Sequence, residues 1–132
     1  MIWHELILEK IVTGAQLRKA ISIVFKLDLD AIAVSGNIEK EFETNVQVIC
    51  QTFLCKAKYP LRVTIYFRHE ALNTLKEDVV LVRELSEELD SSILMSDSGV
   101  NPYIMLKVNP NHVTETINIQ LCDYDDCEEI DI

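Results

Sequence analysis

The spacing of apolar positions divides this chain into helices and strands, most clearly over residues 74–108. Thr74 and Glu77 form a T-x-x-E capping box, in which the threonine side chain accepts from a free helix N–H and the glutamate reaches back to the threonine N–H. Val79, Val82, Leu85 and Leu89 follow at helical spacing, which predicts a helix from Thr74 to Leu89, and Asp90-Ser91-Ser92 ends it. Residues 93–95 are a short apolar run. Asp97-Ser98-Gly99 and Asn101-Pro102 carry turn chemistry, and residues 103–108 alternate as a strand does.

The first half of the chain follows a similar plan. Trp3, Leu6, Ile7, Ile11, Gly14, Leu17, Ile21 and Val24 recur at steps of three and four, which predicts helix over most of residues 2–27. Thr13 and Gln16 form a T-x-x-Q box at which the helix would begin again, and a strand over Ile2–Leu8 is the competing assignment. Residues 31–34 read as a short strand before the Ser35-Gly36-Asn37 turn, and residues 38–44 as a charged loop or the start of the next strand. Val46, Val48, Cys50, Thr52 and Leu54 then alternate with polar positions, although Ile49 and Phe53 imply some cover on both faces. After Lys58-Tyr59-Pro60, residues 61–68 are the cleanest amphipathic strand in the chain, with Leu61, Val63, Ile65 and Phe67 opposite Arg62, Thr64, Tyr66 and Arg68. Residues 109–112 form a turn, Ile117, Ile119 and Leu121 alternate, and residues 123–132 are a mostly acidic tail.

Helix-strand-strand-strand, twice, is an α+β fold: two layers, a mainly antiparallel sheet of about six strands, two helices on one face, and a possible αβββ duplication. The domain spans residues 1–122, with pseudo-halves 1–68 and 69–122, followed by the tail 123–132. The free sheet face is expected to be wet and to carry Gln47, Gln51, Arg62, Thr64, Tyr66, Arg68, Tyr103, Lys107, Asn118 and Gln120.

Composition narrows the function classes. At 132 residues and 48 % hydrophobic, the chain is a single globular domain with no apolar run near 18 residues and no signal-peptide pattern, so a cytoplasmic protein is expected. The net charge of −10 is unevenly placed: residues 1–60 carry seven acids and seven bases, so the whole excess lies after residue 60. Nucleic acid and anionic membrane are disfavoured as partners, because phosphate contacts need clustered Lys and Arg. A basic protein would be attracted.

Candidate chemistry is sparse. Cys50/Cys55 and Cys122/Cys127 share a C-x4-C spacing, but two cysteines five positions apart in one strand point to opposite faces and do not chelate together. Free thiols are expected, Cys50 buried and Cys127 exposed. His4, His69 and His112 lie on different elements, and no nucleophile, zinc-protease or phosphate-loop motif occurs. His69 beside Glu70 is the best general-base candidate. The acidic run Asp123, Asp125, Asp126, Glu128 and Glu129 lacks the glycine and glutamate spacing of an EF-hand. No catalytic residue, metal or cofactor is assigned.

These readings converge on a non-catalytic, acidic protein-interaction module, most concretely an immunity- or antitoxin-type inhibitor of a basic toxin or nuclease, monomeric or homodimeric. Asp123, Asp125, Asp126, Glu128 and Glu129 supply the field, with Asp97 and Glu87 adding to it. Tyr66, Tyr103 and Tyr124, with Arg68, are the contact anchors. The alternatives are a small-molecule binder or enzyme with a sheet–helix pocket near His69 and Asp97, and a subunit that dimerises through its exposed sheet face.

Overall fold

The computed structural model describes residues 2–39, 41–68, 76–96, 104–111, 113–118 and 127–132. The elements in chain order are β1 (Ile2–Leu8), α1 (Gly14–Phe25), a 3-10 turn (Leu29–Ala31), β2 (Ile32–Ser35), β3 (Val48–Cys55) and β4 (Leu61–Phe67). They are followed by α2 (Asp78–Leu89), β5 (Ile93–Ser96), β6 (Ile104–Val108), β7 (Thr114–Asn118) and β8 (Cys127–Glu129). The fold is α+β, and the eight strands among the described residues agree roughly with the expected sheet of about six. The sheet runs β2-β3-β4-β1-β5-β6-β7, with β8 added beside β3. Every pair is antiparallel except β2–β3, so the sheet is mixed.

The helix expected from residue 2 is corrected: Ile2–Leu8 is the central strand, antiparallel to β4 on one side and β5 on the other. A strand covered on both faces loses its period of two. Leu6, Ile7 and Leu8 are all buried, and this unbroken apolar run imitated a helical stripe. The helix starts instead at the second box. The Thr13 hydroxyl accepts from the Gln16 N–H at 3.1 Å, and the Gln16 side chain accepts from the Thr13 N–H at 2.8 Å.

The start of α2 is also corrected. Helix begins at Asp78, and Glu77 is the N-cap residue, with no side-chain capping bond. Thr74 lies outside the described residues. The Asp78 carboxylate is held from the sheet, accepting from the Trp3 indole at 3.2 Å and lying 2.7 Å from the His4 Nε2. An acid in the first turn also suits the positive end of the helix dipole. Both β1 groups reach α2 because the β1–β4 register shifts between Ile2 and His4. Trp3 then stacks on Phe67 at 5.4 Å and meets Phe25 edge-on at 5.3 Å.

The two helices end alike. The Ser22 hydroxyl donates to the Leu27 carbonyl and the Leu27 N–H returns to the Ser22 carbonyl; Ser86 and Ser91 make the same pair of bonds. Between them, Lys26 and Asp90 occupy the left-handed region at φ 55° and 49°.

Topology places both helices on one face. α1 carries the chain from β1 across β4 and β3 to the parallel strand β2. α2 carries it from β4 across β1 to β5, in the opposite direction and between oppositely directed strands. Two right-handed crossovers so related cover the same side. Leu17, Ile21 and Val24 of α1 and Leu81, Val82 and Leu85 of α2 pack there on Leu6, Leu8, Val48, Cys50, Leu61, Val63, Ile65 and Ile93.

The opposite face is drier than expected. Tyr59, from the turn between β3 and β4, packs with Ile7, Leu94 and Met105. Thr64 and Gln51, expected to be wet, are only 5 % and 7 % exposed. Arg62 lies over the Phe53 ring at 5.3 Å and pairs with Glu5. The Tyr59 hydroxyl, with Glu9 and Glu115, raises the Lys107 ammonium above its ordinary value of 10.5.

Candidate functional site: an acidic sheet edge

The outer edge of β3 is occupied by strands from two distant parts of the chain. β2 runs parallel along residues 48–51, and β8 runs antiparallel along residues 53–55. The acidic segment expected as a tail is therefore structural over residues 127–132. The Ile130 N–H donates to the Thr52 carbonyl at 3.1 Å, and the Thr52 hydroxyl donates to the Ile130 carbonyl. The Asp131 carboxylate accepts from the Gly36 N–H at 2.6 Å and from the Ser35 hydroxyl at 3.3 Å. Gly14 N–H donates to the Ile132 oxygen at 2.9 Å.

Two of the three glycines exist where this segment presses against the domain. A Cβ on Gly36 would lie 2.7 Å from the Ile130 nitrogen, and one on Gly14 would lie 2.6 Å from the Ile132 oxygen. Neither has positive φ, so close approach and not backbone conformation requires glycine there.

The free-thiol expectation is corrected for two cysteines. Cys55 and Cys127 face each other across the β3–β8 register and form a disulfide. The repeated C-x4-C spacing drew attention to pairs within one strand, whereas the bonded pair is 72 residues apart. Cys50 is a buried free thiol, as expected, and burial pushes it up to about 12.

This arrangement collects carboxylates from separate stretches. A cavity of about 470 Å³ between the 37–39 turn and β8 is lined by Asn37, Ile38, Glu39, Gln51 and Glu129. A second, of about 750 Å³, lies between α1, β2 and the 41–46 segment, and Asp30, Glu41 and Glu43 line it. Arg18 is the one cation among the described lining residues. Its guanidinium is engaged, 3.7 Å from Asp30 and donating to the Leu29 carbonyl at 2.8 Å. Glu128 is exposed on β8 beside Glu129.

Four of the residues singled out in the sequence lie in or behind this edge. Tyr66 donates to Gln51 at 3.3 Å, and Gln51 donates to Glu129 at 3.2 Å, so a polar chain links β4, β3 and β8. Arg68 donates to the Glu43 and Val46 carbonyls at 2.8 and 3.1 Å, which fixes the loop that presents Glu43. Tyr66 and Arg68 thus hydrogen-bond to the segments that carry the acidic surface. Glu128 and Glu129 are part of it. Glu87 is exposed on α2. Asp97, Tyr103, Asp123, Tyr124, Asp125, Asp126, His69 and His112 lie outside the described residues.

Sequence reasoning missed Asp30, Glu39, Glu41 and Glu43 as members of a site, because they fall in the electrically neutral first half. It also missed the His4–Asp78 pair, whose partners are joined only by the β1 bulge. Among the described residues, no group of three or more His, Cys, Asp or Glu side chains is placed to hold a metal ion. No helix among them is long and apolar enough to cross a membrane. The chain matches no protein-family model, no curated protein and no solved structure.

Proposed function

We propose that this protein is a non-catalytic interaction module that captures a basic protein partner on the β2/β8 edge, in the manner of an immunity- or antitoxin-type inhibitor. One observation carries the reading: Glu39, Glu41, Glu43, Asp30, Glu128 and Glu129, from opposite ends of the sequence, gather along one sheet edge where the only described lining cation is already paired. A field of one sign speeds encounter with a basic surface and repels phosphate-bearing ligands. The polar chain Tyr66–Gln51–Glu129 and the Arg68 clamp hold the carboxylates in place before a partner arrives, which lowers the ordering cost of binding.

The test is capture from native extract, followed by binding and activity measurements on the recovered partner. The expected partner is basic, its association slows as salt rises, and its activity falls when the complex forms. A Glu39→Lys/Glu41→Lys/Glu43→Lys variant should bind it at least tenfold more weakly. Unchanged partners with unchanged salt dependence in that variant would refute the assignment.

A further inference from the structure

We infer that the Cys55–Cys127 disulfide is a thiol-reversible latch on the C-terminal strap 127–132, whose opening releases the strap while the rest of the domain stays folded. The proposal rests on the strap's own geometry and stands whether or not the partner is a toxin.

Apart from the latch, the strap is held mainly by hydrogen bonds. β8 has three residues, and Glu128, Glu129, Ile130 and Asp131 are exposed. Ile132 is the strap residue that packs against the main core among the described residues. Beyond the β3–β8 pairing, the strap's described hydrogen bonds go to Thr52, Gly36, Ser35, Gly14 and Gln51, and water can replace each of them when the strap lifts. Charge acts against it, because Glu129 shares its small cavity with Glu39. The sheet beneath is different. β3 is paired with β4 along residues 48–54 and with β2 along residues 48–51, and its Val48 and Cys50 are sealed under the helices. Losing β8 removes none of those contacts.

Access to the bond is one-sided. Cys55 is 4 % exposed, whereas Cys127 is half-buried at the start of the strap. A thiolate of a dithiol reductant therefore attacks the Cys127 sulfur. A mixed disulfide forms, and Cys55 leaves as a thiolate and takes up a proton. The reductant's second thiolate then attacks the reductant sulfur of the mixed disulfide and expels the Cys127 thiolate, which is protonated in turn. Two electrons pass to the protein, and the dithiol becomes a disulfide. The freed strap would uncover the edge of β3 beyond β2 and withdraw Glu128 and Glu129 from the acidic surface.

The experiment is reduction of the native protein with millimolar dithiothreitol, read by thiol alkylation with mass mapping and by amide hydrogen exchange. Cys55 and Cys127 should become alkylated while buried Cys50 stays unlabelled. Exchange at Gly36 and Ile130 should rise at least tenfold, with β1 and β4 amides unchanged. The Cys127→Ser variant should reproduce that exchange pattern without reductant. Three results would overturn the proposal: no reduction without denaturant, verified reduction with Gly36 and Ile130 still protected, or loss of protection in every strand at once. The last would make the bond a staple of the whole fold.

Discussion

Gly36→Ala is a sensitive probe of the docked strap, because its sign depends on whether the strap is there. Gly36 does not have positive φ, so alanine fits its backbone. On local grounds the substitution would stabilise the protein by about 0.4–1 kcal/mol, through a less disordered unfolded chain. The strap opposes this. The new Cβ would sit 2.7 Å from the Ile130 nitrogen, 2.9 Å from its carbonyl carbon and 3.1 Å from its oxygen. Ordinary carbon contacts need roughly 3.5–4.0 Å, so backbone has to retreat by about 1 Å. The Gly36 N–H bond to Asp131, now 2.6 Å, then stretches out of range, and the neighbouring Ile130–Thr52 bond weakens. A hydrogen bond to a charged group is worth about 1.5–3 kcal/mol and a neutral one about 1. Net of the local gain, the protein should lose about 2–3 kcal/mol. Urea unfolding followed by the fluorescence of Trp3, the sole tryptophan, would show a midpoint lower by roughly 1–2 M. In a chain shortened after Glu129 the same substitution should be stabilising. Stabilisation in the full chain, or equal effects in both backgrounds, would refute the docked strap.

Three other outcomes follow from the packing. Burial raises the Cys50 thiol from its ordinary 9.0 to about 12, so its contribution to stability is complete below pH 9 and is lost as pH rises toward 12. Unfolding free energies from urea titrations should fall at alkaline pH with a slope approaching about 1.4 kcal/mol per pH unit, which Cys50→Ala removes. Asp78→Ala should cost about 1 kcal/mol and shift Trp3 emission, because the indole loses its acceptor, whereas Asp78→Asn should keep the emission. Lys26→Gly should stabilise by about 1 kcal/mol in thermal or urea unfolding, because a non-glycine side chain is strained at φ 55°.

Most local signals in the sequence recur in the structure, whereas the non-local pairings were not legible. The Thr13–Gln16 box and the helical stripe of α2 depend on neighbours within a few residues and form as read; β4 forms as a strand, but with Thr64 buried where a wet position was expected. The strand Ile2–Leu8 was legible only as the competing assignment, because cover on both faces of Leu6, Ile7 and Leu8 erased the alternation there. The start of α2 was not legible because Asp78, its first residue, is held by Trp3 and His4 from far away in sequence. The parallel β2–β3 pair and β8 exist only through tertiary pairing, and three residues such as Cys127–Glu129 carry no strand pattern of their own. The acidity was visible in the sequence. That residues 39–43 and residues 128–129 share one edge was not, because topology alone brings them together.

The central position of β1 has a consequence for the time course of folding. β3 with β4, and β6 with β7, pair across short connections and can form early. β1 has no such neighbour: Leu6 waits for Val63 and Leu8 for Ile93. Loop closure must be achieved before those contacts form, which favours milliseconds-to-seconds kinetics over microseconds. β1 is thus among the last strands to find its place. Its apolar run Leu6-Ile7-Leu8 stays uncovered until the middle of the sheet closes around it.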